Sequence, residues 1–295
     1  MLGFRARLAK QQEELNTLVC GGLDPLAENL PKHLLRGGIP LANAVGAWMQ
    51  EIALAIAPCV CMLKLQIAHW EAIPNGVGAL EQLIREVHHQ TNMPIFLDCK
   101  RGDIARTQKQ YGVAAFDQLG ADGMNFSPYM GKDCMAALAD KEKWPGKALV
   151  GLCYTSNPTA RQVQDALMAD GRPSWEHYAE WILQWAEELG VVENAGLVMA
   201  AAYGVKAGDK KTIYSAHLTR CRELVGDKLW YLIPGIGAQG GFIEETARTA
   251  YRGPGSIAIS SSSEICFASA GEDFAEAAAQ KAKALRDSIN NAIAA

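Results

Sequence analysis

The sequence predicts an α/β protein, a single (β/α)8 TIM barrel over residues 1–295, and three observations carry the prediction. Eight short apolar runs rich in Val, Ile, Leu and Cys recur along the chain, each bounded by turn residues and each the length of a buried strand. Between them lie segments with apolar residues at helical spacing, so strands and helices alternate as they do in a parallel sheet. Polar side chains crowd at the C-terminal ends of the runs, where barrels of this class carry their sites. An open doubly wound sheet is the alternative that the same alternation allows.

The elements follow in order. The opening MLGFRARLAKQQEEL has too short an apolar stretch for a signal peptide and reads as a surface helix. The first strand is expected at 19–23 and ends at Asp24. A helix at 45–57 leads to a second strand at 59–63, where Cys59 and Cys61, two apart, share a face, and Lys64 follows. A helix at 79–91 precedes the third strand at 94–97, and one at 107–118 separates it from the fourth at 123–126. After the fifth strand, 148–153, a stretch at about 158–175 reads as an exposed insertion, the kind of loop that covers a site on this side of a barrel. A helix at 175–189 leads to the sixth strand at 196–200, and the seventh and eighth are expected at 229–233 and 256–259. From about Glu272 a last helix carries Phe274, Ala278, Ala282, Leu285, Ile289 and Ile293 in one stripe. Glu272 and Asp273 are expected in its first turn, where the helix dipole favours acids, and the stripe is expected against the barrel exterior.

Composition narrows the functions. With 49% hydrophobic and 20% charged residues, the chain reads as soluble and globular. A net charge of -4 gives no electrostatic reason to expect nucleic acid or an anionic membrane as partner. No segment approaches the roughly 18 consecutive apolar residues of a membrane span, and a cytoplasmic location is expected. The eight cysteines fall mostly within apolar runs with no CxxC pair, so they are expected to be reduced core residues. A metal site at Cys59 and Cys61 is not expected, because no second ligand pair accompanies them.

The most unusual stretch is FLDCKRGDI, in which an apolar run gives way to two carboxylates and two cations within a few residues. Strand alternation puts Asp98 and Lys100 on one face with Cys99 on the other, so both can touch one reactant. Lys64, at the end of the neighbouring run MLKLQ, can arrive beside them. Alternating charges in a barrel mouth are costly to desolvate without a purpose, although a structural ion pair remains the alternative reading. For Asp103 the alternative is a helix N-cap after the Gly102 turn. Other strand ends offer Ser127, Ser156 with Asn157, Tyr203, the glycine-rich PGIGAQGG at 234–241 and the serines at 260–263.

Taken together, CGGLDP, LKLQIAHWE, DCKRGDIART, NFSPYMG, LCYTSNP, GLVMAAAY and PGIGAQGG resemble the orotidine 5'-phosphate decarboxylase family, and more closely its longer bacterial type. The DxKxxDI pattern with PGIGAQGG downstream is specific in combination. The resemblance implies cofactor-free decarboxylation of orotidine 5'-phosphate to uridine 5'-phosphate, in a homodimer of barrels with sites at the subunit interface. It implies catalytic roles for Lys64, Asp98 and Lys100 of one subunit and Asp103 of the other, with Lys100 stabilising and then protonating the C6 carbanion. Asp24 and Thr107 would then approach the ribose and Ser156 the pyrimidine; as a turn serine, Ser156 also has a plain structural reading. Gln239, with the backbone of Gly235 and Gly237, would hold the phosphate. No metal or cofactor is implied.

The chain departs from the family pattern at one place. Where the resemblance implies an arginine that grips the phosphate, in a pattern like NSSRGIIYA, this sequence reads SSSSEICFA, with Ser263 at the arginine position and Glu264 after it. An inward Glu264 would repel a phosphate dianion. Arg252 precedes the last strand and is expected at the opposite end of the barrel, whereas Arg161 lies in the insertion after Ser156 and could reach over the site. Two alternatives therefore stay open: a non-catalytic pyrimidine-nucleotide-binding relative, and another phosphate-binding barrel enzyme such as a Mg2+-dependent sugar-phosphate decarboxylase.

Overall fold

Most barrel-strand residues are apolar and buried, the pattern expected when a parallel sheet is covered on both faces. The computed structural model describes residues 2–204, 212–236 and 242–294. Its strands are β1 (Val19–Gly22), β2 (Met62–Gln66), β3 (Ile95–Arg101), β4 (Gly123–Phe126), β5 (Ala148–Tyr154) and β6 (Ala195–Met199), then β7 (Tyr203–Gly204) and β8 (Ile213–Tyr214), and finally β9 (Trp230–Ile233) and β10 (Ile257–Ser261). All but β7 and β8 form one closed parallel barrel in the order β1-β10-β9-β6-β5-β4-β3-β2, while β7 and β8 pair with each other antiparallel. The protein is thus a (β/α)8 barrel, and the open sheet is excluded by the β1–β10 pairing at Val19↔Ile259.

Alternation sorts the strand residues into two cores. Leu63, Leu97, Met124, Leu149, Leu197, Ile233 and Ile259 face outward into the layer beneath the helices. Cys20, Met62, Phe96, Ala148, Val150, Val198, Trp230, Leu232 and Ala258 face inward and fill the barrel.

The N-terminal helix, Phe4–Leu15, is not a surface helix. Phe4, Leu8 and Gln12 recur every fourth residue and are buried on one face. Phe4 stacks on Trp230 at 5.4 Å and meets Phe96 edge-on at 6.2 Å, inside the barrel. Gln12 Nε2 donates to the Ile257 carbonyl at 2.7 Å and its Oε1 accepts the Gly255 N–H at 2.7 Å. The helix therefore plugs the N-terminal end of the barrel, and the opposite mouth stays open.

Other expectations shift by local chemistry. Cys59 closes a tight turn, Ala57–Cys59, rather than sharing a strand face with Cys61, because Pro58 carries no N–H for a ladder. The segment expected as one helix over 107–118 begins earlier, at Ala105–Gly112, and widens into a π turn over Val113–Gln118. The last helix spans Phe274–Ala294, so Glu272 and Asp273 precede it; its stripe from Phe274 to Ile289 is buried as expected. Between β5 and the helix Ser174–Glu188, the stretch after Pro158 holds a short helix, Arg161–Gln164. It is tied back to the strand end by Gln164, which accepts the Thr155 N–H at 2.9 Å and donates to Thr155 Oγ1 at 2.8 Å.

Candidate active site

The inward columns of side chains turn polar as they reach the mouth. Met62 is followed inward by Lys64 and Gln66, Phe96 by Asp98 and Lys100, Gly123 by Asn125, and Ala258 by Ser260 and Ser262. The polar members of these columns line a cavity of about 380 Å3. The apolar Val198 and Leu232 contribute to its lining, so its surface is mixed rather than wholly charged.

Charges alternate along it. Lys64 Nζ lies 3.1 Å from Asp24 Oδ2 and 3.2 Å from Asp98 Oδ2, and Lys100 Nζ lies 2.6 Å from Asp98 Oδ1. Asp24 Oδ1 also accepts the Gln66 N–H at 3.0 Å, which fixes the loop after β1 against β2. Burial opposes ionisation of Asp98, but the charges of Lys64 and Lys100, with hydrogen bonds from Lys100 and Asn125, outweigh it and hold the carboxyl at about 2. Burial likewise opposes the charge on Lys64, and Asp24 and Asp98 more than offset it, so its ammonium holds its proton more tightly than an ordinary lysine. The Lys64 side chain is 7% exposed and that of Lys100 46%. Lys64 is therefore a buried strut, and Lys100 is the more accessible cation of the array.

Of the residues singled out in the sequence, Asp24, Lys64, Asp98, Lys100, Ser156, Asn157, Gly235, Ser260, Ser262 and Ser263 border this one cavity. Gly235 has φ +100°, a conformation that favours glycine. Asp103 and Thr107 do not border the cavity of their own chain. Asp103 is not a helix cap: its Oδ1 accepts the N–H of Ile104 at 2.7 Å, and Ile104 occupies the cap position of Ala105–Gly112. Thr107 is exposed, as is Ile104. Gly237 and Gln239 lie outside the described residues.

Ser263 opens a short helix, Ser263–Cys266, at the rim, and Glu264 is exposed and does not border the cavity. Arg252 donates to the carbonyls of Thr249 and Tyr251 at the far end of the barrel. The Arg161 guanidinium sits 4.3 Å over the Tyr203 ring rather than in the cavity. Ser127 and Tyr203 also stay outside; the Tyr203 hydroxyl meets that of Tyr154 at 3.2 Å.

A scan against protein families matches residues 17–278 to the orotidine 5'-phosphate decarboxylase / HUMPS family. The chain belongs to that family. An orotidine 5'-phosphate decarboxylase of an Azoarcus species is 37% identical over 289 residues, covering 97% of this chain and 98% of that protein. One from Cupriavidus necator is 36% identical, covering 97% of both. Among solved structures, the OMP decarboxylase of Leishmania donovani superposes with a TM-score of 0.77 at 28% identity, covering all of both chains. The UMP synthase of the same organism gives a TM-score of 0.77 at 30% identity, with 99% of this chain matched to 56% of that one.

As an orotidine 5'-phosphate decarboxylase family member, the chain places in its cavity several residues that the motif reading did not single out. Asn125 is buried, donates from Nδ2 to Asp98 Oδ1 at 2.6 Å, and is the lone polar residue of the strand GMNF. Gln66 stands two after Lys64 on the same inward column, a signal present in MLKLQ. His69 Nδ1 lies 3.1 Å from the Pro25 carbonyl, which can only accept, so that nitrogen carries the proton. Thr155, next to Ser156, also borders the cavity.

Proposed function

We propose that the chain decarboxylates orotidine 5'-phosphate to uridine 5'-phosphate without a cofactor. The observation that carries the reading is the alternating Asp24–Lys64–Asp98–Lys100 array, in which the last ammonium alone is half exposed to the cavity. Loss of CO2 breaks the bond at C6 and leaves its electron pair on a carbon that the ring cannot delocalise well. A fixed cation at that point interacts more strongly with the transition state than with the substrate, and so speeds the chemical step. Lys100 then gives a proton to C6 and regains one from solvent. Asp98, held ionised by both lysines, keeps Lys100 in place and stands beside the departing carboxylate.

In the same reading Asp24 binds ribose hydroxyls, Ser156 contacts the pyrimidine, and the phosphate lies toward Gly235 and Ser263. Asp103 and Thr107 sit outside their own cavity, which supports a homodimer in which each reaches the site of its neighbour. The free cysteines, mostly buried, support a cytoplasmic setting.

The test is direct. Purified protein incubated with orotidine 5'-phosphate in the absence of added metal releases CO2 and forms uridine 5'-phosphate. Binding of uridine 5'-phosphate without any turnover at saturating substrate would replace this reading with that of a non-catalytic nucleotide-binding relative. Metal-dependent turnover of a sugar phosphate would place the chain in another enzyme class.

A further inference from the structure

Asn125 does a task in the barrel mouth that the regular ladder of β3 and β4 leaves undone. The two strands are in register at Leu97↔Met124 and again at Arg101↔Phe126, so Asp98, Cys99 and Lys100 pass a single residue, Asn125. Its side chain takes the place of the missing ladder. Asn125 Oδ1 accepts the Cys99 N–H at 2.9 Å and the Lys100 N–H at 2.6 Å. Its Nδ2 donates at 2.6 Å to Asp98 Oδ1, the same oxygen that holds Lys100 Nζ.

The network fixes which way the amide points. Turned over, its NH2 would face two N–H donors and its carbonyl would face a carboxylate. The backbone adds a second constraint: Lys100 has φ +47°, a left-handed conformation that is unfavourable for an L residue and persists only where the surroundings enforce it. Asn125, 1% exposed, supplies that enforcement from inside the barrel.

We propose that Asn125 is a positioning residue for the decarboxylation, one amide fixing both the Asp98 carboxylate and the left-handed turn of chain that aims Lys100 into the cavity. The inference rests on the reading of Lys100 as the group that meets C6. An aspartate at 125 keeps an acceptor for both N–H groups but turns an oxygen toward Asp98. A threonine offers one hydroxyl, too short to serve all three partners.

Kinetics of Asn125→Asp and Asn125→Thr, run beside the wild type with uridine 5'-phosphate affinity as a control, test it. At pH about 8, Asn125→Asp lowers kcat about ten- to a hundredfold, the effect of losing one hydrogen bond to a charged group. As the pH is lowered toward about 5 its kcat recovers, because facing carboxylates share a proton and the protonated acid again donates to Asp98. Asn125→Thr loses kcat without that recovery, and KM and product affinity stay within about threefold for both. Wild-type turnover with both variants within about twofold of it at every pH overturns the positioning role alone. No wild-type turnover overturns the functional reading and this inference with it. Failure of both variants to fold, or loss of product affinity matching the loss of kcat, assigns Asn125 a purely structural role and also overturns it.

Discussion

Asp98 is flanked by two ammonium groups and an amide donor, and the cost of burying its charge is met by those three partners. The consequence for stability has a definite sign. Its carboxyl sits at about 2, below the ordinary 3.8, so the unfolded chain binds the proton more readily and the stabilisation is present above about pH 4. It is lost as the pH falls from there toward 2, and amounts to about 2 kcal/mol. Denaturant unfolding of wild type and Asp98→Asn at a series of pH values checks this: the gap between them narrows over that window, and a gap independent of pH contradicts it. Ser263 is a second point at this scale. It borders the cavity from an exposed position, so an arginine fits there without disturbing the core. Ser263→Arg is predicted to raise kcat/KM for orotidine 5'-phosphate about ten- to a hundredfold, the value of one charge-assisted contact, and to change phosphate-free orotidine much less. Equal changes on both substrates would contradict a Ser263 that faces the phosphate.

Among elements, the N-terminal helix departs furthest from its sequence reading. Its buried face is only Phe4, Leu8 and Gln12, a narrow stripe in a segment otherwise rich in Arg, Lys, Gln and Glu, and it resembles a solvated helix until Trp230 and Phe96 are seen waiting at the bottom of the barrel. Phe4→Ala removes the ring that closes that end and is predicted to lower the unfolding free energy by about 3–5 kcal/mol in denaturant titration. A loss below about 1 kcal/mol would mean that the helix is not part of the core. The barrel strands themselves were legible because burial on both faces leaves runs that are apolar throughout and bounded by turn residues. The bulge in β3 was not, since a register shift between two strands leaves no trace in either strand alone. Asn125 went unread for that reason: in GMNF it is one polar residue at a strand end, and its meaning lies in the three residues of β3 that pass it.

At the scale of the whole molecule, the fold is a device for converting strand order into a ring of charges. Two-residue alternation brings Lys64 and Asp98 inward from adjacent strands, the β2–β3 register pairing Gln66 with Asp98 sets their heights, and the left-handed turn at Lys100 carries its side chain in beside them. The pairing of Lys64 with Asp98 could be read from spacing, whereas Asp103 and Thr107 were singled out only through resemblance, because they do not border the cavity of their own chain. In the proposed reaction one group, the ammonium of Lys100, meets the charge that develops at C6. The most direct measurement is therefore the turnover of orotidine 5'-phosphate by Lys100→Ala beside wild type, with uridine 5'-phosphate affinity measured for both. A fall in kcat of about a thousandfold or more, with product still bound, is the predicted result. Turnover by Lys100→Ala within about tenfold of wild type would contradict the account.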